Sequence, residues 1–522
     1  MQLGELVARA AAQTPDKTAL IFRAAAQSPF KDEIITYKEL NARVNRVANG
    51  LTQLGIKRGD RVALYLHNIP QFVEAFYGAQ MCGATIIPMN VMYKAGEIQY
   101  ILSDAGVKAI ITLAPFYANV QAIRSEVPSL EHAIVLAAEP LPGATLWHQA
   151  FASQSEQATP IAGDDEDVAV ILYTSGTTGK PKGAMLTHTN LISNIEQFNQ
   201  QPRFRLADHD VSWLGLPLFH VYALNVGMNA GIYLNATLAL MERFDPVASL
   251  EIFQRDKITI LFGAPPMYVA WVLNPAVGSY NLSSIRAAFS GAAALPVAIL
   301  EKFKQLTGVD IMEGYGLTET APVATSNAIG PVVKPGSIGP AIPGIEIKIV
   351  DDNDNEVPVG EVGELVCRGP NVMKGYFNKP EANEEAFRGG WFHTGDLAKV
   401  DEDGYYYIVD RKKDMILVSG FNVYPREVEE FLYRHPKIAD AAVVQAPDEY
   451  QGESVMAFVV LRQGQTATER EIIDYCRDGI AVFKCPRHVE FRAELPKNMT
   501  GKVLRRELRD DAARLAAERK KD

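Results

Sequence analysis

A chain of 522 residues exceeds what one hydrophobic core usually serves, so at least two domains are expected. Hydrophobic residues make up 48% and charged residues 22%, the balance of a soluble globular protein rather than a disordered or fibrous one. The formal net charge of -11, from 51 Lys and Arg against 62 Asp and Glu, argues against nucleic acid as a partner, because a phosphate backbone demands a basic face.

The first residues, MQLGELVARAAAQTP, carry Glu5 and Arg9 in a helical pattern and lack the apolar core of a signal peptide. From residue 61 short apolar runs alternate with helical ones. RVALYLHN (61–68) predicts a strand, FVEAFYGAQMCG (72–83) a helix, ATIIPMN (84–90) a strand, EIQYILSDAG (97–106) a helix and VKAIITL (107–113) a strand. Such alternation specifies parallel sheets covered by helices. The stretch 211–241 contains no Asp, Glu, Lys or Arg and is long enough to cross a membrane. Pro217, His220, Asn225, Asn229 and Asn235 interrupt it, however, and such residues are costly in lipid. It is expected to be buried core or pocket wall, and no transmembrane span is expected.

Three later runs, ITILFGAPP (258–266), IRAAFSGAA (285–293) and VDIMEGYGLTE (309–319), each pass from an apolar strand into a Gly-rich turn. Ligands of parallel sheets bind at the carboxyl ends of the strands, so these turns point to one composite site. Between about 339 and 410 the pattern becomes antiparallel, and after Arg411 a compact α+β pattern begins, closed by the charged helix VLRRELRDDAARLAAERKK. The boundary is set near 410–414, giving domains of 1–410 and 411–522. Cys82, Cys367, Cys476 and Cys485 form no CxxC pair and read as isolated thiols of a reducing compartment.

The strongest chemical signal is YTSGTTGKPKG (173–183), directly after the apolar strand VAVIL. Its glycines let backbone amides turn inward, and its hydroxyls and lysines offer donors to phosphate oxygens. It is not a Walker motif, since no GK followed by Ser or Thr closes a GxxxxG. The run resembles the phosphate loop of the adenylate-forming superfamily, which includes acyl-CoA synthetases, 4-coumarate-CoA ligases and peptide-synthetase adenylation domains. YGLTET (315–320), WFHTGD (391–396), YIVDRKKD (407–414) and PKNMTGK (496–502) are similar to that family's later motifs, in the family's order and across the whole chain.

The resemblance implies an α/β fold: a large N-terminal domain of parallel α/β sheets with a small distorted β-barrel, and a small mobile α+β C-terminal domain. It implies that Thr174, Ser175, Gly176, Thr177, Thr178 and Lys182 grip ATP phosphates with Thr318 and Glu319, and that Glu319 holds Mg2+. Gly291, Ala292, Glu313, Gly314 and Tyr315 would frame the adenine, Asp396 would accept from the ribose hydroxyls, and Arg411 would sit nearby. Lys502 is the implied catalytic lysine, steadying the charge that builds as a carboxylate attacks the α-phosphorus. Asn498 stands where many relatives carry Thr. Lys413 falls at the hinge position, and Ser419, Gly420 and Phe421 in the segment implied to approach CoA.

The acyl pocket is expected from His220, Val226, Gly227, Met228, Gly314, Gly316 and Val323. Since the 211–241 stretch has no charge, a fatty acid is favoured over an amino acid, whose ammonium group needs a carboxylate partner. With the resemblance, this implies an acyl-CoA synthetase acting on a medium- or long-chain fatty acid, with ATP, Mg2+ and CoA as its small-molecule requirements. The alternatives are an aryl-acid CoA ligase, transfer to an acyl carrier protein, and a nucleotide-binding sensor or hydrolase. A cytoplasmic location is expected; membrane contact at the periphery and a homodimer stay open.

Overall fold

The computed structural model describes residues 1–174, 180–293, 295–448, 452–498 and 501–519. The chain divides into two compact units, Met1–Glu346 with Arg368–Phe392, and Ile347–Cys367 with His393–Asp522.

The first unit is built on two eight-stranded sheets. One runs, in spatial order, Gly375–Tyr376, Lys182–Thr187, Val168–Thr174, Thr85–Pro88, Arg61–Tyr65, Ala109–Leu113, His132–Leu136 and Thr145–Leu146, parallel from Val168–Thr174 onward. The other runs Val323–Ser326, Ile311–Gly316, Ala287–Ser290, Ile260–Gly263, Val211–Leu214, Thr237–Met241, Thr18–Arg23 and Glu33–Thr36, parallel between its two antiparallel edges. Parallel strands are covered on both faces and so read as unbroken apolar runs; Ala109–Leu113 is buried at every position.

Local chemistry sets the helices. Thr36 caps Tyr37–Gln53 and Glu39 returns a bond to its amide, while Pro70 opens Pro70–Met81 at a position whose N–H has no helical partner. Gly106, at φ +57°, ends Ala95–Ala105 with the left-handed turn an L side chain resists. Helix Pro70–Met81 is buried almost all round. Two of its buried polar side chains reach partners across the fold: Gln80 donates to the Ala169 carbonyl at 2.8 Å, and Glu74 meets Arg43 at 3.3 Å. The stretch 211–241 is protein interior, with Trp213 packed edge-on against Trp271 and Phe253. No helix among the described residues is long and apolar enough to cross a membrane.

The second unit holds two sheets. The segment expected to be antiparallel, about 339–410, gives a four-stranded sheet in the order Glu346–Val350, Gly363–Arg368, Phe392–Val400, Tyr406–Arg411. The other sheet orders Phe421–Val423, Ile416–Val418, Gly452–Leu461 and Ile438–Asp448, with His488–Phe491 parallel to Gly452–Leu461. Helices Pro425–Leu432, Glu469–Gly479 and Arg505–Glu518 accompany it. Cys82, Cys367 and Cys476 are buried and in no disulfide, and Cys485 is half-buried.

Candidate functional site

In the first unit the site is assembled at the carboxyl ends of parallel strands. Register pairs Ser290 with Glu313, so the residues that follow, Gly291 and Ala292, lie beside Gly314 and Tyr315. A Cβ placed on Gly291 would stand 3.7 Å from the Gly314 carbonyl and 3.6 Å from the Tyr222 ring. Ala292 holds φ +73°, turning the chain sharply out of the strand. The Glu313 carboxylate is buried and accepts the Leu295 amide at 3.1 Å, which fixes the turn from the inside. The five residues expected to frame a base are thus adjacent.

The phosphate run connects two antiparallel strands, whose register closes at Thr174 with Lys182. Ser175, Gly176, Thr177 and Thr178 lie outside the described residues. Its described base is anchored firmly: the Tyr173 hydroxyl donates to Asp104 at 2.7 Å, and Lys379 meets the same carboxylate at 2.9 Å. Burial, and then the Asp104 bond, push the Tyr173 phenol well above its ordinary pKa, so it stays a donor. Lys182 sits over the Tyr376 ring at 5.2 Å, and the Tyr376 hydroxyl donates to Glu319 at 2.8 Å. Tyr376, which the sequence reading missed, therefore joins the phosphate strand to the acidic turn. Its signal was faint: an aromatic in a two-residue edge strand.

Among the described residues no three His, Cys, Asp or Glu side chains cluster as a metal cage. Glu319 with phosphate oxygens and water fits Mg2+, a hard cation that seldom uses an all-protein cage.

The candidate acid wall is a π-helix, Tyr222–Asn229, preceded by His220. The wider turn places Asn225 and Asn229 inward, where both are fully buried. The Tyr77 hydroxyl donates to Asn229, Asn229 to Asn225, and Asn225 to the carbonyls of Leu191 and Ala321. The Tyr222 amide donates to His220 Nδ1 at 3.3 Å. Two expected pocket glycines have other reasons to be glycine. A Cβ on Gly316 would meet the Pro322 carbonyl at 2.0 Å, and one on Gly227 would meet Leu214 Cδ2 at 2.4 Å. Val226 and Val323 are buried at the same wall.

The second unit carries its own cluster. Asp396 faces Arg411 across the strand pair, with Arg411 Nε 3.2 Å from the carboxylate. Lys502 stands beside the antiparallel bridge of Lys497 with Val503. Asn498 has a task there: its side-chain oxygen accepts the Lys502 amide at 2.9 Å, and its own amide donates to the Lys502 carbonyl at 2.9 Å. Lys502 is exposed as a residue. Crowding there, then the like charge of Arg411, lowers its pKa to about 8 against the pull of Asp396 and Asp414. Lys413 lies in the turn Lys412–Asp414 and is also lowered, first by burial and then by Arg411. Asp414, another residue the sequence reading passed over, ties this turn to the last helix through Arg509. Phe421 is exposed at 57% and stacks on Phe483 at 4.9 Å, beside Ser419 at φ +50° and Gly420 at φ +87°.

The chain matches the family of AMP-binding enzymes over residues 7–377 and the AMP-binding enzyme C-terminal domain over 427–502. A long-chain-fatty-acid–CoA ligase of Bacillus subtilis (strain 168) is 38% identical over 98% of this chain and 94% of its own. A feruloyl-CoA synthase of Amycolatopsis sp is 36% identical over 97% and 98%. The crystal structure of an anthranilate CoA ligase in complex with anthranoyl-AMP superposes with a TM-score of 0.89 at 31% identity, over 99% of this chain and 98% of that one.

Proposed function

Since this chain belongs to the AMP-binding enzyme family, we propose that it joins a medium- or long-chain fatty acid to CoA through an acyl-adenylate. It is an AMP-forming acid–thiol ligase that uses ATP and CoA, with Mg2+ as the usual cofactor. In the first step a carboxylate oxygen attacks the α-phosphorus, the bond to the β-phosphate bridge breaks, and pyrophosphate leaves. In the second the CoA sulfur attacks the acyl carbon, AMP leaves, and the thiol proton passes to solvent.

The observation that carries the fatty-acid reading is the wall at 222–229. Its buried amides, Asn225 and Asn229, are satisfied by neighbouring protein groups, and the stretch around them bears no charge. Such a wall offers an acyl chain apolar contact and gives an ammonium group nothing to pair with. An aryl acid is the second reading, supported by the likeness to the feruloyl-CoA synthase.

Thr174, Lys182 and the 175–178 run take the phosphates, with Thr318 and Glu319 beside them. Bound Mg2+ supplies charge neutralisation on those phosphates. Asp396 accepts from the ribose hydroxyls, and Arg411, already paired with Asp396, orients that carboxylate. Lys502 carries its positive charge to the carboxylate and α-phosphate of the adenylating complex. Lys413 is the hinge of a C-terminal domain spanning 411–522, and Ser419, Gly420 and Phe421 receive the CoA arm. The enzyme works in the cytoplasm.

Pyrophosphate release with Mg-ATP across acids from acetate to palmitate, with ferulate and amino acids, tests this reading. Release with the longer fatty acids, stimulated by CoA, is expected. Strong preference for ferulate selects the aryl reading, and release with no acid contradicts both.

A further inference from the structure

The backbone of 319–323 is held in an unusual way, and nothing in the two-step scheme accounts for it. Each carbonyl in this segment accepts a hydrogen bond. Glu319 O takes the Met373 amide at 2.8 Å, and Thr320 O takes Asn371 Nδ2 at 2.8 Å. Ala321 O takes Asn225 Nδ2 at 2.7 Å. Pro322 O takes the Leu317 amide at 3.1 Å, and Val323 O takes Asn194 Nδ2 at 2.8 Å and Asn371 Nδ2 at 3.1 Å. The Val323 amide in turn donates to Asn194 Oδ1 at 3.1 Å.

Three asparagines do most of this, and all three are fully buried. Asn194 comes from helix His188–Phe198, Asn225 from the π-helix Tyr222–Asn229, and Asn371 from the connection after Arg368. Burying an amide is unfavourable unless its donors and acceptor find partners. Three buried asparagines from three separate elements, aimed at the carbonyls of Thr320, Ala321 and Val323, make a clamp rather than a set of independent core contacts. The clamped segment has reason to resist its shape. Ala321 holds φ +63°, a region that costs an alanine free energy and persists only where surroundings over-determine it. Gly316, just upstream, leaves no space for even a methyl group against Pro322.

We propose that Asn225, with Asn194 and Asn371, is a positioning residue for nucleotide binding: the clamp fixes the turn Thr318–Thr320 so that Thr318 and Glu319 face Mg-ATP already in place. The inference rests on the reading of Thr318 and Glu319 as the phosphate and Mg2+ residues. Asn225 is the informative member. Its π-helix is also the proposed acid wall, and its amide is oriented by the chain Tyr77 to Asn229 to Asn225, each donor fixing the next acceptor. Without that amide the Ala321 carbonyl is buried and unpaired, the left-handed residue relaxes, and the acidic turn loses its preset geometry. The penalty falls on the affinity for Mg-ATP, since the turn must be ordered by the ligand instead of before it.

The test compares Asn225→Leu with the wild type and with Asn45→Leu. Asn45 is a buried amide donating to the Glu156 carbonyl at 2.7 Å on helix Tyr37–Gln53, with no part in the site. Three quantities are measured: unfolding temperature without ligand, Kd for Mg-ATP by calorimetry without acid, and the Mg2+ concentration giving half-maximal pyrophosphate release. Asn225→Leu is expected to raise the Kd and the Mg2+ midpoint by about tenfold or more, as loss of outer-shell support does. Asn45→Leu is expected to lower the unfolding temperature while leaving Kd and midpoint unchanged. An Asn225→Leu protein that loses stability with unaltered Kd and midpoint overturns the proposal. Should that variant not fold, Asn371→Ala is judged by the same criteria. A wild type that releases no pyrophosphate with any acid overturns the ligase reading instead, and the calorimetric Kd values still decide the clamp.

Discussion

Lys502 shows how a single group's surroundings become a rate. A lysine that steadies two anions works only while protonated, and its pKa is lowered to about 8 from the ordinary 10.5. kcat/KM for ATP in the adenylation step, which reports the free enzyme, is therefore predicted to fall as pH rises through about 8. Lys502→Arg, charged throughout that range, removes this alkaline limb even where its rate is lower. A limb unmoved by Lys502→Arg contradicts the assignment. Lys502→Ala is expected to cut acid-dependent pyrophosphate release by about 100-fold or more, the scale of a lost charge stabiliser, while a supplied acyl-adenylate still reacts with CoA. Glu74 makes a prediction about stability. Burial, opposed by Arg43, raises its pKa from 4.5 to about 7. Between those values the folded state keeps a proton that the unfolded chain gives up, so stability falls as pH rises through the window. Glu74→Gln, fixed in the neutral form, is predicted to raise the unfolding temperature more at pH 8 than at pH 5; the reverse order contradicts it. The sequence carried Lys502 only as part of a motif. That Asn498 ties the lysine's own backbone was not legible, because the residue type alone gives no partner.

At the scale of elements, the parallel strands were readable because burial on both faces leaves unbroken apolar runs. The Gly-rich turns after Ser290 and Met312 were readable for the same reason, since each interrupts such a run. The π-helix was not, because one wider turn leaves the hydrophobic pattern of 211–241 unchanged. Its asparagines looked like interruptions of an apolar stretch; they are donors to the Ala321 and Leu191 carbonyls. Tyr376 and the asparagine clamp escaped notice because their partners lie far away in sequence. Gly316 was expected in the pocket wall, and the structure supplies a different constraint on it. Gly316→Ala puts a methyl 2.0 Å from the Pro322 carbonyl, so backbone must move. It is predicted to cost about 1–3 kcal/mol of stability, the usual penalty of overpacking, and to raise the KM for ATP. A melting temperature and KM equal to wild type would show that the turn is softer than its hydrogen bonds imply.

For the whole molecule, the proposed site residues divide between the two compact units: the phosphate, adenine and acid residues lie in the first, and Asp396, Arg411, Lys413 and Lys502 in the second. The five motifs in order were legible in the sequence; the return of Arg368–Phe392 to the first unit was not. Lys413, in the short turn Lys412–Asp414, is the proposed hinge. Lys413→Pro fixes the backbone φ there and is predicted to spare one half-reaction while slowing the other; equal loss of both, with an intact melting transition, contradicts a hinge. The central claim, that an acid is activated as its adenylate before any thiol takes part, has a direct test. It is isotope exchange between pyrophosphate and ATP, with a fatty acid present and CoA absent. Exchange that requires the acid, and disappears in Lys502→Ala, is the predicted result. No exchange with any acid, or formation of ADP and phosphate instead of AMP and pyrophosphate, would contradict the account.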